Sequence, residues 1–362
     1  MFILTSEPPD GLGGAEHFVR ELLRGLRARG YSPEVFHRSN SEPAWLARQD
    51  GPFGKKVAGT LRGYWIGKNV QRHLSADVVA VISTSDVGFY PLRRATPFKR
   101  IHFYHGTYRG QSEAIRPFIK YGGYLYLKWW QSMVLERLSG RGKLVLTNSE
   151  QVCDEVSHYF SQDSTAMWCP IDTDRFKPRD ASECRLALDL PQEGAIGLFV
   201  GSMHPMKGFS LVKSLIDKLP EVHWVLALRG DLPAERIPRQ NVTIVQNMAH
   251  DQVPVLYNAA DFSLCPSLYE PFGYVVAESL ACGTPAISSP GGASHLLLRE
   301  PPLDRLLIND RESVDGFLAA VGEVLRDRAF YRKAVIEKVR PRLHELLATE
   351  NWWHRFAQVT GL

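Results

Sequence analysis

No run of apolar residues in this 362-residue chain approaches the ~18 that a membrane span requires. Residues 1–10 are too short and too polar for a secretory leader and read as a strand running into a loop. Cysteine is sparse. The five (Cys153, Cys169, Cys184, Cys265, Cys282) are odd in number and scattered, and no pair has metal-ligand spacing. A disulfide framework and a zinc site are therefore not expected, and reduced thiols in a cytoplasmic protein are. No internal repeat of fixed period and no low-complexity segment is present. Charge is nearly balanced, at +4. That permits an anionic ligand or a weak membrane-surface contact without demanding either, and no nucleic-acid partner is expected.

What is present is alternation. A single core usually stops growing at roughly 250–300 residues, so two domains are expected. Short apolar strands are read at 2–5, 32–36, 77–82, 100–104 and 144–147, and again at 196–200, 223–228, 242–245, 262–265 and 285–288. Helices are read between them, at about 15–28, 150–160, 209–219, 252–258 and 274–282. In the first helix Phe18, Leu22 and Leu26 form one stripe with Val19 and Leu23 beside it, and Gly30 ends it. Asn148 or Ser149 caps the helix at 150–160. Strands alternating with helices imply parallel sheets covered on both faces, and two such series imply two doubly wound domains. The polar stretch 170–191 reads as the linker. The last segment, 342–362, reads as a helix carrying Trp352 and Trp353 that packs back on the first domain.

Residues 266–278 read PSLYEPFGYVVAE. A strand ends near Cys265, a loop carries Glu270, and a helix opens near Gly273 with Glu278 inside it. Ligands of open parallel sheets bind beyond the carboxyl ends of strands. A helix start there offers free N–H groups to a diphosphate. Glu278 can accept from both hydroxyls of a ribose. The bland reading is a buried loop and an ordinary surface carboxylate.

This segment resembles the donor-site signature of retaining glycosyltransferases of the GT-B fold, glycosyltransferase family 4 (glycosyl transferases group 1). That signature is two glutamates separated by seven residues, with Phe-Gly after the first. Glu270, Phe272, Gly273 and Glu278 match it, and Ala281-Cys-Gly-Thr-Pro285 and Gly291-Gly292 continue it. The resemblance implies two Rossmann-like domains facing across a cleft: an acceptor-side domain at 1–177, with 342–362 returning to it, and a donor-binding domain at 178–341. It implies that Glu270 faces the donor sugar, that Glu278 holds the ribose, and that Phe272, Gly273, Tyr274 and Val275 present backbone to the diphosphate or sugar.

Other landmarks match. Gly201-Ser-Met-His-Pro-Met-Lys207-Gly208 is similar to the family's strand-end loop, in which a lysine meets the leaving phosphate. The family arginine after the first glycine is replaced here by Ser202, and His204 or Arg229 would supply the missing cation. Pro8 to Glu16 resembles the glycine-rich loop that puts Gly13 and Gly14 beside diphosphate and acceptor. His105, in Tyr-His-Gly-Thr after a strand, falls at the family's reacting centre; its bland reading is a satisfied polar residue. Asn148-Ser149 and Pro170-Ile-Asp172 also match, as cap and linker geometry.

Two further features compete with this reading. Asp172-Thr-Asp174 has the pattern that glycosyltransferases of another fold use for a divalent cation, but it falls in the linker, and no metal site is expected. Residues 115–138 combine lysines with Phe118, Tyr121, Tyr124, Tyr126, Trp129 and Trp130. They read first as a loop and helix packed on the first domain, and second as a peripheral contact with the inner face of a membrane or with a lipid-linked acceptor. The resemblance implies a nucleotide diphosphate sugar as donor, with a UDP-sugar as default and no cofactor. It also implies a carbohydrate, lipid-linked or small-molecule hydroxyl acceptor in bacterial glycan or glycoconjugate assembly. A sugar-nucleotide epimerase of similar architecture and a catalytically silent sugar-nucleotide binding protein are the alternatives.

Overall fold

The computed structural model describes residues 1–11, 13–48, 51–230 and 241–362, with backbone alone at 47 and 51–56. The chain divides into two compact units, Met1–Cys169 with Trp353–Leu362, and Pro170–Trp352.

The first unit is built on a six-stranded sheet in the order β2-β1-β3-β4-β5-β6. Its strands are β1 (Phe2–Leu4), β2 (Glu34–Phe36), β3 (Ala80–Thr84), β4 (Lys99–Tyr104), β5 (Leu144–Thr147) and β6 (Thr165–Ala166). All its pairings are parallel. The strand read at 77–82 begins three residues later, because Val78 N–H closes a turn on the Ser75 carbonyl. The helix Gly14–Ala28 buries Phe18, Val19, Leu22, Leu23 and Leu26, as the stripe requires. The helix Glu150–Phe160 is capped by Ser149, whose side chain accepts from Val152 N–H.

One long helix, Gly51–His73, has no counterpart in the sequence reading. Glycines at 51, 54, 59, 63 and 67 interrupt its pattern. Two of them have a packing reason. A Cβ on Gly63 would lie 2.4 Å from the Phe89 ring, and one on Gly67 would lie 2.1 Å from Tyr90 Cβ. The bare backbone lets the 89–90 loop lie against the helix. Segment 115–138 is mostly helical, and its stretch Tyr126–Glu136 is a π-helix.

The second unit holds a five-stranded sheet in the order β11-β10-β7-β8-β9. Its strands are β7 (Ala195–Gly201), β8 (Val222–Leu228), β9 (Val242–Gln246), β10 (Phe262–Cys265) and β11 (Ala286–Ser288), again all parallel. Trp224 and Phe262 meet edge-on in its core.

The boundary falls at 169/170 rather than at 177, and the stretch 170–191 is not a bare linker. Ile171 N–H donates to Leu347 O at 2.7 Å. A helix forms at Ala181–Ala187, and its buried Arg185 donates to Ala259 O and Asp261 Oδ2, each at 3.0 Å. Polar composition hid a segment whose Ile171, Phe176, Cys184 and Leu190 are core residues. The C-terminal segment is two helices, Arg340–Leu347 and Thr349–Thr360, broken at extended Ala348. The second unit therefore reaches Trp352, and only Trp353–Leu362 joins the first unit. There Trp353 fits over Gly25, where a Cβ would lie 2.0 Å from the indole, and the Arg29 guanidinium sits 4.4 Å from its ring centre.

Candidate active site

In the second unit, β7 and β10 are neighbours and end side by side. The loop after β7 is a short 3₁₀ turn, Pro205–Lys207, stopped by Gly208 at φ 68°. A Cβ on Gly208 would stand 2.0 Å from Pro266 O. Leu268 N–H donates to Met206 O at 2.8 Å. The two loops are thus bolted together, and that puts Lys207 beside Glu270: Nζ to Oε2 is 2.7 Å. Buried Ser267 donates to the same carboxylate oxygen at 3.0 Å. Burial, the largest single influence, lowers the Lys207 pKa, but the Glu270 charge and hydrogen bond together with the nearby Cys265 outweigh it and the net shift is upward. Lys207 is thereby a permanent cation at the carboxyl edge of the sheet.

Directly after Glu270, Gly273 (φ 89°) starts the helix Tyr274–Ala281. The first amides of such a helix have no intrahelical acceptor and carry the positive end of its dipole. Gly291 and Gly292 pack against this turn: a Cβ on them would come within 2.5 Å of Glu270 O and 2.1 Å of Phe272 O. Their place in the sequence pattern is explained by that approach. Glu278 lies in the helix and is buried. Oε1 faces His250 Nε2 at 2.8 Å, and Oε2 accepts from Tyr257 OH at 2.9 Å. Burial and the Glu278 charge drive the Tyr257 pKa well up, so the phenol stays a donor. Each carboxylate oxygen keeps a further lone pair.

Ser202 stands just past β7 and Arg229 just past β8, with Arg229 N–H donating to Gly201 O at 3.0 Å. Of the two cations offered in place of the family arginine, Arg229 lies near enough for its charge to act on Lys207. The His204 ring is occupied in its own turn, with Nδ1 accepting from Met206 N–H at 3.2 Å. Arg311 was not foreseen. It donates to the carbonyls of Ser267 and Leu268 at 3.2 and 3.0 Å, supporting the Glu270 loop from 44 and 43 residues away. His250, Tyr257 and Ser267 were missed as well, because no local spacing links them to the glutamates. Asp172 accepts from Arg175 N–H and pairs with the Arg175 guanidinium, both at 3.0 Å.

In the first unit His105 follows β4. It stacks on Phe103 at 5.2 Å and meets Phe18 edge-on at 4.6 Å. Phe18 belongs to the helix that the glycine-rich turn opens, so turn and histidine share one end of the sheet. Burial holds the His105 pKa down at about 4, and its Nε2 has no hydrogen-bond partner among the described residues. Gly13 is the N-cap of that helix at φ −78°, a conformation open to any residue. Crowding there comes from the chain itself: a Cβ on Gly13 would lie 2.0 Å from Glu16 Oε2. Around 115–138, Phe118, Tyr121, Trp129 and Trp130 are exposed, with Arg116 over the Tyr121 and Tyr124 rings.

Comparison with known proteins gives the family and the fold. Residues 182–341 match the family described as Glycosyl transferases group 1, and residues 12–175 match Glycosyltransferase Family 4. A D-inositol 3-phosphate glycosyltransferase of Mycobacterium leprae is 30% identical over 184 residues. That match covers 46% of this chain and 42% of the relative, so the chain spans under half the length of the curated relatives it matches. A sucrose-phosphate synthase from Thermosynechococcus elongatus has a similar fold, with TM-score 0.79 and 19% identity over 99% of this chain and 97% of that one. The Anabaena protein HepE, solved in complex with UDP-glucose, has TM-score 0.72 and 16% identity over 99% and 98%. The lipopolysaccharide glycosyltransferase WaaG has TM-score 0.75 and 16% identity over the whole of both chains. No helix among the described residues is long and apolar enough to cross a membrane. With two doubly wound units, and with the two family descriptions together covering residues 12–175 and 182–341, the chain belongs to the GT-B glycosyltransferases of family 4.

Proposed function

We propose that this chain is a retaining, metal-independent glycosyltransferase that moves a hexose-type sugar from a nucleoside diphosphate sugar to a hydroxyl acceptor in bacterial glycan or glycoconjugate assembly. The observation that carries the proposal is the Lys207–Glu270 pair, set at the carboxyl edge of a parallel sheet immediately before a helix start. A bound diphosphate takes over Lys207 and the amides of Tyr274 and Val275. Glu270 then turns to the sugar hydroxyls, and Glu278, held by His250 and Tyr257, uses its remaining lone pairs on the ribose. Arg229 supplies the second cation that Ser202 does not. UDP is the working nucleotide, by similarity to the HepE complex.

In the reaction the bond from C1 to the diphosphate oxygen breaks and its electron pair leaves with the phosphate. The acceptor oxygen bonds to C1 on the face the leaving group vacates. The acceptor proton passes to the departing phosphate oxygen. Lys207 and the helix start stabilise the charge that develops there. His105, neutral at physiological pH, offers a hydrogen bond rather than a charge to the acceptor, and Gly13 and Gly14 keep the loop beside it slim. The exposed aromatic and basic face of 115–138 receives the apolar part of a lipid-linked acceptor at the membrane surface.

A thermal-shift panel of nucleotides and nucleotide sugars, followed by transfer to a hydroxyl-acceptor panel, tests the reading. A shift with UDP-sugars and a product of unchanged anomeric configuration is expected. An inverted product removes retention. Epimer formed from donor alone, or tight binding with no turnover on any acceptor, removes the transferase.

A further inference from the structure

The first unit contains a cavity of about 250 Å³ that the proposed reaction does not use. It lies over β3 and β4, beneath the loop at 88–92. Val81, Phe89, Tyr90 and Leu92 give it apolar walls, and Arg100, Arg141 and Lys143 give it three cations. None of its lining residues is acidic. The cations stand at the amino ends of β4 and β5, the opposite edge of the sheet from His105.

Lys143 is the centre of the cavity's chemistry. Its Nζ donates to Gly88 O at 2.6 Å and to Ser83 Oγ at 3.1 Å, both uncharged acceptors. An ammonium has three donors, so one remains for a ligand. Burial, then the nearby Arg100 charge, pushes Lys143 down to about 7. A buried cation without a counter-ion is costly, and an anion beside it removes that cost. Ser83 Oγ also lies 2.9 Å from Nδ1 of buried His102, so the polar floor is fixed in place. Arg100 is tied to the cavity rim through Leu92 O at 3.1 Å.

We propose that this cavity binds a small organic anion, with its phosphate or carboxylate on Lys143, Arg100 and Arg141 and a flat apolar body between Phe89, Tyr90 and Leu92. The volume lies just below the ~300–1,000 Å³ of ordinary small-molecule pockets, which suits a ligand near the size of one substituted ring and excludes a nucleotide sugar. The site is independent of the donor site, since every residue in it belongs to the first unit.

The test is calorimetric titration of the full chain with phenyl phosphate and benzoate, against inorganic phosphate and benzyl alcohol. Saturable binding of phenyl phosphate with Kd below ~1 mM is expected, at least tenfold tighter than inorganic phosphate. Lys143→Met should weaken it tenfold or more, and exposed Arg141→Gln about threefold, while the thermal shift with UDP stays unchanged in both. Phenyl phosphate should also shield Lys143 from acetic anhydride labelling, a readout that stands if Lys143→Met fails to fold. No saturation up to ~10 mM, or equal affinity in wild type and Arg141→Gln without shielding of Lys143, overturns the proposal. Inorganic phosphate binding as tightly as phenyl phosphate overturns its apolar half.

Discussion

At the residue scale the site divides into groups that the sequence names and groups that only hold them. Lys207, Glu270 and Glu278 are legible because their spacing to the surrounding glycines is local. His250 and Tyr257 are not, since they reach Glu278 from 28 and 21 residues away. Lys207→Ala should lower kcat by roughly 10²–10³, as loss of one group stabilising a developing oxyanion does; near wild-type turnover would remove its role. Glu278→Gln should raise the donor KM more than it lowers kcat, because ribose contacts are made equally in ground and transition states. Unchanged donor affinity would show that Glu278 serves only His250 and Tyr257.

At the element scale the donor loop works because two turns interlock. Gly208 is required twice over, by φ 68° and by the 2.0 Å approach to Pro266 O. Gly208→Ala should cost about 1–3 kcal/mol of stability. It should also cut turnover by moving Lys207 from Glu270; an unaltered urea midpoint would contradict the interlock. Strands and capped helices were legible from their periodicity, as at Glu150–Phe160. The helix Gly51–His73 was not, because its glycines serve packing against Phe89 and Tyr90 rather than helix propensity. The helix at Ala181–Ala187 was hidden by a polar composition that its buried Arg185–Asp261 pair uses internally.

At the scale of the whole molecule, stability carries a pH signature. His105 has a folded pKa of about 4 against an ordinary 6.5, so between those values the unfolded chain binds the extra proton. Its contribution is fully present above pH 6.5 and is lost as pH falls toward 4. Buried Glu136 and Asp86, whose pKa values burial raises, act in the opposite sense. The stability difference between wild type and His105→Gln isolates the histidine. It should shrink by up to about 3 kcal/mol from pH 7.5 to pH 4. A difference independent of pH would mean that His105 is not held neutral. Transfer activity should survive EDTA, and loss reversed by Mn²⁺ would reinstate a metal.

The sequence by itself determined the two doubly wound units, the family and the donor-side landmarks, because those rest on periodicity and on short spacings written along one stretch of chain. Tertiary structure alone decided where the units divide, that the Arg229 charge reaches Lys207, what holds Glu278, and that a cationic cavity lies over β3 and β4. Each of those depends on residues far apart in the chain meeting across a sheet or between loops, and no local pattern encodes such a meeting.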